Sequence, residues 1–131
     1  MTPDELQERT RTFAVDVMRF ARGVSDVGSC GAVVRQLVRA ATSVAANYRA
    51  CCRGRSRAEF NAKLGVVAEE ADETVFWLEM VLRSGLARGA SVAALLEEAR
   101  QLRAIMAASA KTARRNLALL KSANPENQIN K

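Results

Sequence analysis

Apolar residues recur at alternating spacings of three and four in four successive segments of this chain. An α-helix turns once in about 3.6 residues, so such spacings place the apolar side chains on one stripe of a helix. The stripes comprise Leu6, Phe13, Val17 and Phe20; Val34, Leu37, Ala41, Val44 and Tyr48; Phe60, Leu64, Val67, Ala71, Val75, Leu78 and Leu82; and Val92, Leu95, Ala99, Leu102, Met106, Ala110, Ala113, Leu117 and Leu120. Helices with one apolar stripe bury it by packing side by side at shallow angles.

Capping residues and glycines mark where each helix begins and ends. Thr2 and Glu5 have the spacing of a capping box, as do Ser56 and Glu59, and Ser91 is expected to cap the last helix. These marks predict helices over about 3–23, 30–53, 57–84 and 92–121, with a turn over 24–29.

Short connections make consecutive helices antiparallel neighbours. The sequence therefore predicts an all-α protein with one domain, residues 1–121, folded as an antiparallel up-down-up-down four-helix bundle. The polar tail 122–131, which contains several asparagines and one proline, is expected to be disordered.

Composition restricts where such a chain acts. Of its 131 residues 49% are apolar, yet no uninterrupted apolar run reaches the roughly 18 to 20 residues of a membrane span. Asp4, Glu5 and Glu8 give the first segment the wrong charge for a secretory signal. We therefore expect a cytoplasmic protein with no membrane partner.

Residues that usually build catalytic or metal sites are missing from the sequence. There is no histidine, the commonest general base and metal ligand, and Cys30, Cys51 and Cys52 form no Cys-x-x-Cys pair. No Gly-rich phosphate loop or activated serine motif occurs either. The sequence therefore predicts no enzyme and no cofactor. The cysteines are expected to be small packing residues; the alternative is a reactive thiol at Cys51 or Cys52, with its pKa lowered by nearby arginines.

Polar residues inside the second and third segments are interpreted as structural. The acids of residues 69–73 resemble a metal cluster, but di-metal bundles take Glu-x-x-His motifs, and this chain has no histidine. Glu73, three residues from Glu70, is instead expected to face Arg39 across the antiparallel second helix, and Glu70 is expected to be a structural residue of the same acidic face. Asn47, beside the apolar stripe, is expected to hydrogen-bond between helices and fix their register.

The net charge of +6 is unevenly distributed, because residues 30–57 carry six arginines and no acid. In an up-down bundle the end of the second helix, the start of the third and the end of the fourth lie at one pole. That arrangement brings together a set of cations: Arg49, Arg53, Arg55, Arg57, Lys63, Lys111, Arg114, Arg115 and Lys121. Clustered cations are typical of a polyanion partner, RNA or DNA. The alternative is that cations near helix C-termini serve only the helix dipole. Tyr48 is the one aromatic expected near this pole, which favours backbone contacts over sequence readout.

The third segment has more apolar residues than one stripe needs. Val66, Phe76, Trp77 and Val81 fall outside the stripe that contains Leu78 and are expected to form a subunit interface. The alternative is that Trp77 covers a groove between helices of one subunit.

Four blocks, residues 36–48, 55–60, 63–67 and 70–78, resemble the bacterial four-helix-bundle family, also called 23S ribosomal-RNA intervening-sequence proteins. The resemblance covers about residues 6–84 and implies a cytoplasmic bundle that assembles into a homopentameric ring without enzymatic activity. Relatives include the accessory variability determinant of diversity-generating retroelements, a basic ring that binds nucleic acid and assists a reverse transcriptase. Family members often carry glutamate where this chain has Ala50, and the loss of that acid makes the pole more basic.

Two functions are therefore expected from the sequence. The first is a non-catalytic, oligomeric nucleic-acid-binding or scaffold protein that contacts phosphate backbones through its basic pole. Its expected partners are further copies of itself, RNA or DNA, and a reverse transcriptase. The alternative is a protein–protein interaction module that binds no nucleic acid.

Overall fold

The computed structural model describes residues 1–24 and 30–123, which form four helices and no strand. These are α1 (Pro3–Gly23), α2 (Gly31–Cys52), α3 (Arg57–Arg83) and α4 (Ala90–Ala123). Apart from Val24, the turn predicted over 24–29 lies outside the described residues, as does the tail from 124 onwards. No helix in the described part of the chain has the length and apolarity needed to cross a membrane.

The N-terminus of α1 has the capping box that its sequence predicts. The Glu5 backbone N–H donates to Thr2 Oγ1 at 3.1 Å, and the Thr2 backbone N–H donates to Glu5 Oε2 at 2.9 Å. At α3 only half of the box forms. The Glu59 N–H donates to Ser56 Oγ at 3.1 Å, but the Glu59 carboxylate accepts from the Arg55 N–H at 3.3 Å instead of from Ser56.

Both predicted ends of the fourth helix need correction. Ser91 lies inside α4 and does not cap it, because the helix begins at Ala90 and the Gly89 carbonyl already accepts from the Ala93 N–H at 3.2 Å. At the other end α4 continues to Ala123, so the first two residues assigned to a disordered tail are helical. Between Ala90 and Pro125 the sequence has no glycine or proline that would end the helix earlier. Proline disfavours helical backbone at the residue before it.

Gly89 has a backbone φ of +105°, a conformation that residues with a Cβ rarely adopt. We expect Gly89→Ala to lower the free energy of unfolding by about 1 to 2 kcal/mol because alanine is strained in that conformation. A Cβ at Gly89 would meet no atom within 4 Å, so a clash would not contribute. Urea denaturation measures the change. Gly23→Ala is the control, since Gly23 has open space around it and no positive φ; an equal loss in both variants would contradict the strain argument.

The four helices pack in chain order around one core: α1 contacts α2, α2 contacts α3, α3 contacts α4, and α4 returns to α1. On the α1–α4 side, Arg9 donates to Glu98 and to Gln101, at 2.6 and 2.8 Å through Nη2. The bundle is therefore up-down-up-down. The largest fully buried apolar side chains come from all four helices: Val17, Leu37, Val44, Leu64, Val67, Val75, Leu78, Val81, Val92, Leu102 and Met106.

The last turns of α4 have no buried residue. Ala110 is the final buried position, and Leu119 and Leu120 are exposed although the apolar spacing of the sequence continues to Leu120. α4 has 34 residues and α1, its neighbour in the bundle, has 21, so α4 is longer than the helix it packs against. The apolar stripe of α4 is therefore longer than the core of one chain.

Candidate nucleic-acid interface

The C-terminus of α2, the N-terminus of α3 and the last third of α4 lie at one end of the bundle. The Cys51 thiol donates to the Phe60 carbonyl at 3.4 Å, which joins α2 to α3. Asn61 Nδ2 donates to the Ala113 carbonyl at 3.3 Å, which joins α3 to α4. These contacts fix the pole at which the sequence concentrates its cations.

Four of the predicted cations converge on a single groove between α2 and α3. This basic groove has a volume of about 350 Å³ and is lined by Ala46, Arg49, Ala50, Arg53, Arg55, Glu59 and Lys63. Glu59 is its one acid, and its Oε1 lies 3.9 Å from Lys63 Nζ. Ala50 lines the same groove as Arg49 and Arg53. A glutamate at that position would add a second carboxylate to the groove, so Ala50 keeps it cationic.

Most cations of the pole have no acidic partner among the residues that the structure describes. In the described residues, ion pairs to arginine or lysine involve Arg9, Arg19, Arg39, Lys63, Arg100 and Arg103. The remaining eight predicted cations are exposed and form no ion pair within residues 1–24 and 30–123: Arg49, Arg53, Arg55, Arg57, Lys111, Arg114, Arg115 and Lys121. Their charge is therefore available to a partner.

A group of acids that was not predicted as part of the site lies at the same pole. α1 begins there, and its first two turns carry Asp4, Glu5 and Glu8, all exposed. Since α1 contacts α2 and α4 but not α3 in the described chain, these carboxylates lie across the bundle from the start of α3. Up-down topology places the start of the first helix beside the end of the second, so the sequence contained this signal. The pole is basic on its α3 side and acidic on its α1 side.

The aromatic residue expected near the pole is unavailable for stacking. Tyr48 is only 6% exposed and belongs to the core, where burial raises the pKa of its hydroxyl. Phe60 is the aromatic side chain that reaches the surface there, because it lines a second groove between α3 and α4. We call this the polar groove; its volume is about 730 Å³, and it is lined by Gly54, Arg55, Ser56, Arg57, Phe60, Asn61, Leu64, Ala108, Ser109, Thr112, Ala113 and Asn116.

The thiol of Cys51 is buried between α2 and α3, contrary to the alternative that arginines activate it. Burial, followed by the neighbouring Cys52, raises the pKa of Cys51 to about 11. At neutral pH this thiol is protonated, and a protonated thiol is a poor nucleophile. The structure therefore favours a packing role for Cys51.

We expect native protein at pH 8 to leave Cys51 unlabelled by a thiol-disulfide reagent, and urea-unfolded protein to react fully. The measurement uses a variant with Cys30→Ser and Cys52→Ser, so that Cys51 is the single thiol. The unfolded thiol ionises near its ordinary pKa of 9.0 and the folded one near 11. Because the folded thiol has the higher pKa, its protonated form stabilises the folded state. This contribution is fully present below pH 9 and is lost as the pH rises towards 11, so the free energy of unfolding decreases over that range. Rapid labelling of native protein at pH 8 would contradict burial of the thiol.

Arg39 forms the predicted ion pair with Glu73 and a second one with Glu70. Its Nη1 donates to Glu70 Oε2 at 3.1 Å, and its Nη2 donates to Glu73 Oε1, which also accepts from the Trp77 indole N–H at 3.3 Å. The hydrogen bond with Glu73 raises the pKa of Arg39, and the same bond lowers the pKa of Glu73. No cluster of three potential metal ligands occurs among the described His, Cys, Asp and Glu residues.

Asn47 does not have the predicted register role in the described structure. Its Nδ2 donates to the Ser43 carbonyl at 2.9 Å and to Ser43 Oγ at 2.8 Å, both within α2. A short amide side chain inside a helix readily reaches the carbonyl one turn back. The bond is local and joins no second helix.

The four predicted interface residues of α3 divide into two groups. Val66 and Phe76 are 42% and 49% exposed, so they remain free for a second subunit. Trp77 is half-buried against the core, and its ring meets that of Phe76 edge-on at 4.9 Å. Val81 was assigned wrongly: it is fully buried in the core, because the buried face of α3 continues from Leu78 by three residues to Val81.

The comparisons with known proteins agree with this architecture. A crystal structure of a protein of unknown function from the S23 ribosomal protein family of Bacteroides thetaiotaomicron is similar, with 23% sequence identity and a TM-score of 0.76. The match covers 85% of this chain and 99% of that one, and at this identity it supports the fold alone. No curated protein matches the chain. The family model described as 23S rRNA-intervening sequence protein matches residues 5–108. The chain therefore belongs to the 23S rRNA-intervening sequence protein family.

Proposed function

We propose that this protein is a non-catalytic, oligomeric nucleic-acid-binding or scaffold protein that contacts phosphate backbones through its basic pole. The observation that carries the proposal is the basic groove. Arg49, Arg53 and Arg55 converge there without forming an ion pair in the described chain, and Lys63 shares the single acid Glu59.

The arrangement suits phosphate groups better than it suits base edges. Arginine presents several N–H donors in a fork that matches phosphate oxygens, and contacts of this kind position a strand without reading its sequence. The buried position of Tyr48 removes one route to base recognition at the α2 end of the groove. Binding through the basic groove should therefore discriminate little between sequences.

Oligomerisation would multiply this weak, general attraction. Several copies of one basic pole on a single assembly bind a long polyanion with avidity far above that of one copy. The exposed side chains of Val66 and Phe76, and the uncovered apolar end of α4, are surfaces through which copies can associate. The resemblance to ring-forming relatives supports a pentamer, an accessory role beside a reverse transcriptase and a cytoplasmic location.

Size-exclusion chromatography with light scattering, combined with the 260/280 nm absorbance ratio, tests the proposal in one run. Protein purified at about 50 mM salt is expected to elute with the mass of several chains and to carry nucleic acid, which high salt should strip off because counterion release weakens phosphate contacts. A monomer free of nucleic acid would overturn both parts.

The second candidate function is a protein–protein interaction module that binds no nucleic acid. The exposed apolar residues Val66, Phe76, Leu119 and Leu120 favour it, because large exposed apolar side chains commonly mark protein contacts. Such a complex would tolerate salt, since apolar burial is not screened by ions. Co-purification of a protein partner at high salt, without nucleic acid, would support this candidate over the first.

A further inference from the structure

The polar groove between α3 and α4 adjoins the basic groove, and Arg55 lines both. Arg55 and Arg57 lie at one side of the polar groove, at the start of α3. Phe60 and the buried side chain of Leu64 form an apolar floor one and two turns further along that helix. A partner that fills both grooves must therefore carry anionic groups next to a flat or apolar group.

The α4 wall of this groove carries unused hydrogen-bonding groups. Ser109, Thr112 and Asn116 follow one another by three and four residues, so they lie on one face of the helix. None of their side chains is in a hydrogen bond with another described residue, and Asn61 uses only its amide Nδ2, leaving Oδ1 as an acceptor. Hydroxyl and amide groups beside an apolar floor are what a planar heterocycle with donors and acceptors on its edge requires.

We propose that the polar groove takes up an unpaired nucleobase from a single strand whose phosphates lie on Arg55 and the basic groove. This rests on the proposed function and adds the class of ligand, single-stranded rather than duplex nucleic acid. The base would lie against Phe60, with its edge towards Ser109, Thr112 and Asn116. A volume of about 730 Å³ falls within the range of about 300 to 1,000 Å³ typical of small-ligand pockets.

Abasic strands separate this inference from simple phosphate binding, because they keep every phosphate and lack every base. We would measure fluorescence anisotropy of the full chain with oligothymidylate, oligouridylate and an abasic deoxyribose strand, each of about 12 nucleotides, within the span of known single-strand sites. Wild-type protein is expected to bind both base-bearing strands roughly 5- to 100-fold more tightly than the abasic strand. These two strands differ in the sugar and in the C5-methyl group of the base, so the inference is tested on both a DNA strand and an RNA strand.

Two variants locate the effect in the groove. Phe60→Leu keeps an apolar side chain against the core but removes the flat ring, and Ser109→Leu fills the groove from α4. Both are expected to bring the affinity for base-bearing strands down to that for the abasic strand, with abasic binding unchanged. Ala107→Leu is the matched control, since Ala107 is exposed on the same helix and does not line the groove. It should alter neither affinity.

Three other outcomes of these measurements would overturn the nucleobase inference. Equal wild-type affinity for base-bearing and abasic strands would overturn the nucleobase inference and leave phosphate binding intact. If Phe60→Leu and Ser109→Leu weaken abasic binding as much as they weaken binding of the base-bearing strands, the inference is overturned as well. The groove would then affect only phosphate contacts or the fold. If no single strand binds, the nucleobase inference fails, and the proposed function fails with it only if duplex RNA and duplex DNA are not bound either.

Discussion

Reversing two charges of the basic pole, Arg53→Glu with Arg114→Glu, is expected to lower affinity for a single strand about 100-fold or more at low salt. A hydrogen bond to a charged group contributes about 1.5 to 3 kcal/mol, so two lost phosphate contacts account for that factor before repulsion by the new carboxylates is counted. Both arginines are exposed and outside the ion pairs of the described chain, so the bundle should keep its stability. Fluorescence anisotropy gives the affinity, and urea denaturation checks the fold.

The matched control reverses two exposed arginines at the opposite pole, Arg22→Glu with Arg83→Glu. Arg22 lies in the last turn of α1 and Arg83 in the last turn of α3. The change in net charge is the same in both double variants, so a difference between them reports position. Equal losses of affinity would mean that the total charge of the protein binds the strand, and that the pole does not.

The second large effect is on stability. Leu78→Ala should lower the free energy of unfolding by about 2 to 5 kcal/mol, because it removes buried methyl groups and leaves a cavity in the centre of the bundle. Leu78 is fully buried in α3, whereas Leu119 is 62% exposed near the end of α4. The same substitution at Leu119 should change stability by less than about 0.5 kcal/mol in a single chain.

Urea denaturation of the two variants provides the comparison, run at a protein concentration low enough to keep the chains apart. A large loss for Leu119→Ala under these conditions would show that the end of α4 packs within one chain. A loss that appears only as the concentration rises would instead indicate a contact between chains, since an interface stabilises only the assembled protein.

The fold followed from the sequence because one apolar stripe per segment leaves little choice of architecture. The stripe that contains Leu37 and the one that contains Leu78 had to face a common core, and the capping residues at Thr2 and Ser56 marked where α1 and α3 begin. The fourth helix was less well defined at both ends. A serine suggested a cap at Ser91, but the preceding Gly89 supplied the first helical carbonyl.

The site was predictable only in outline. Topology alone brought the arginines of α2 and α3 to one pole, and the structure places Arg49, Arg53 and Arg55 in one groove. Which apolar residues of α3 face outwards depended on the rotation of the helix. A spacing of four from Leu78 leads to Leu82 and a spacing of three leads to Val81, and both residues pack inwards to different degrees.

The polar groove could not be recognised from spacing. Phe60 counted as one member of an apolar stripe, and Ser109, Thr112 and Asn116 looked like ordinary surface residues of α4. Their relation to one another appears only when α3 and α4 are side by side, with Asn61 hydrogen-bonded to Ala113. Sequence patterns describe one helix at a time, whereas a groove belongs to two.

The dependence of strand affinity on salt tests most directly whether the basic pole contacts phosphate backbones. If six to nine of its cations each neutralise a phosphate of the single strand, affinity should fall by about 300- to 6,000-fold between 50 and 200 mM salt, and a plot of log affinity against log salt concentration should be linear. Arg53→Glu with Arg114→Glu should make that line less steep. Affinity that stays constant across this range would contradict phosphate recognition by the pole.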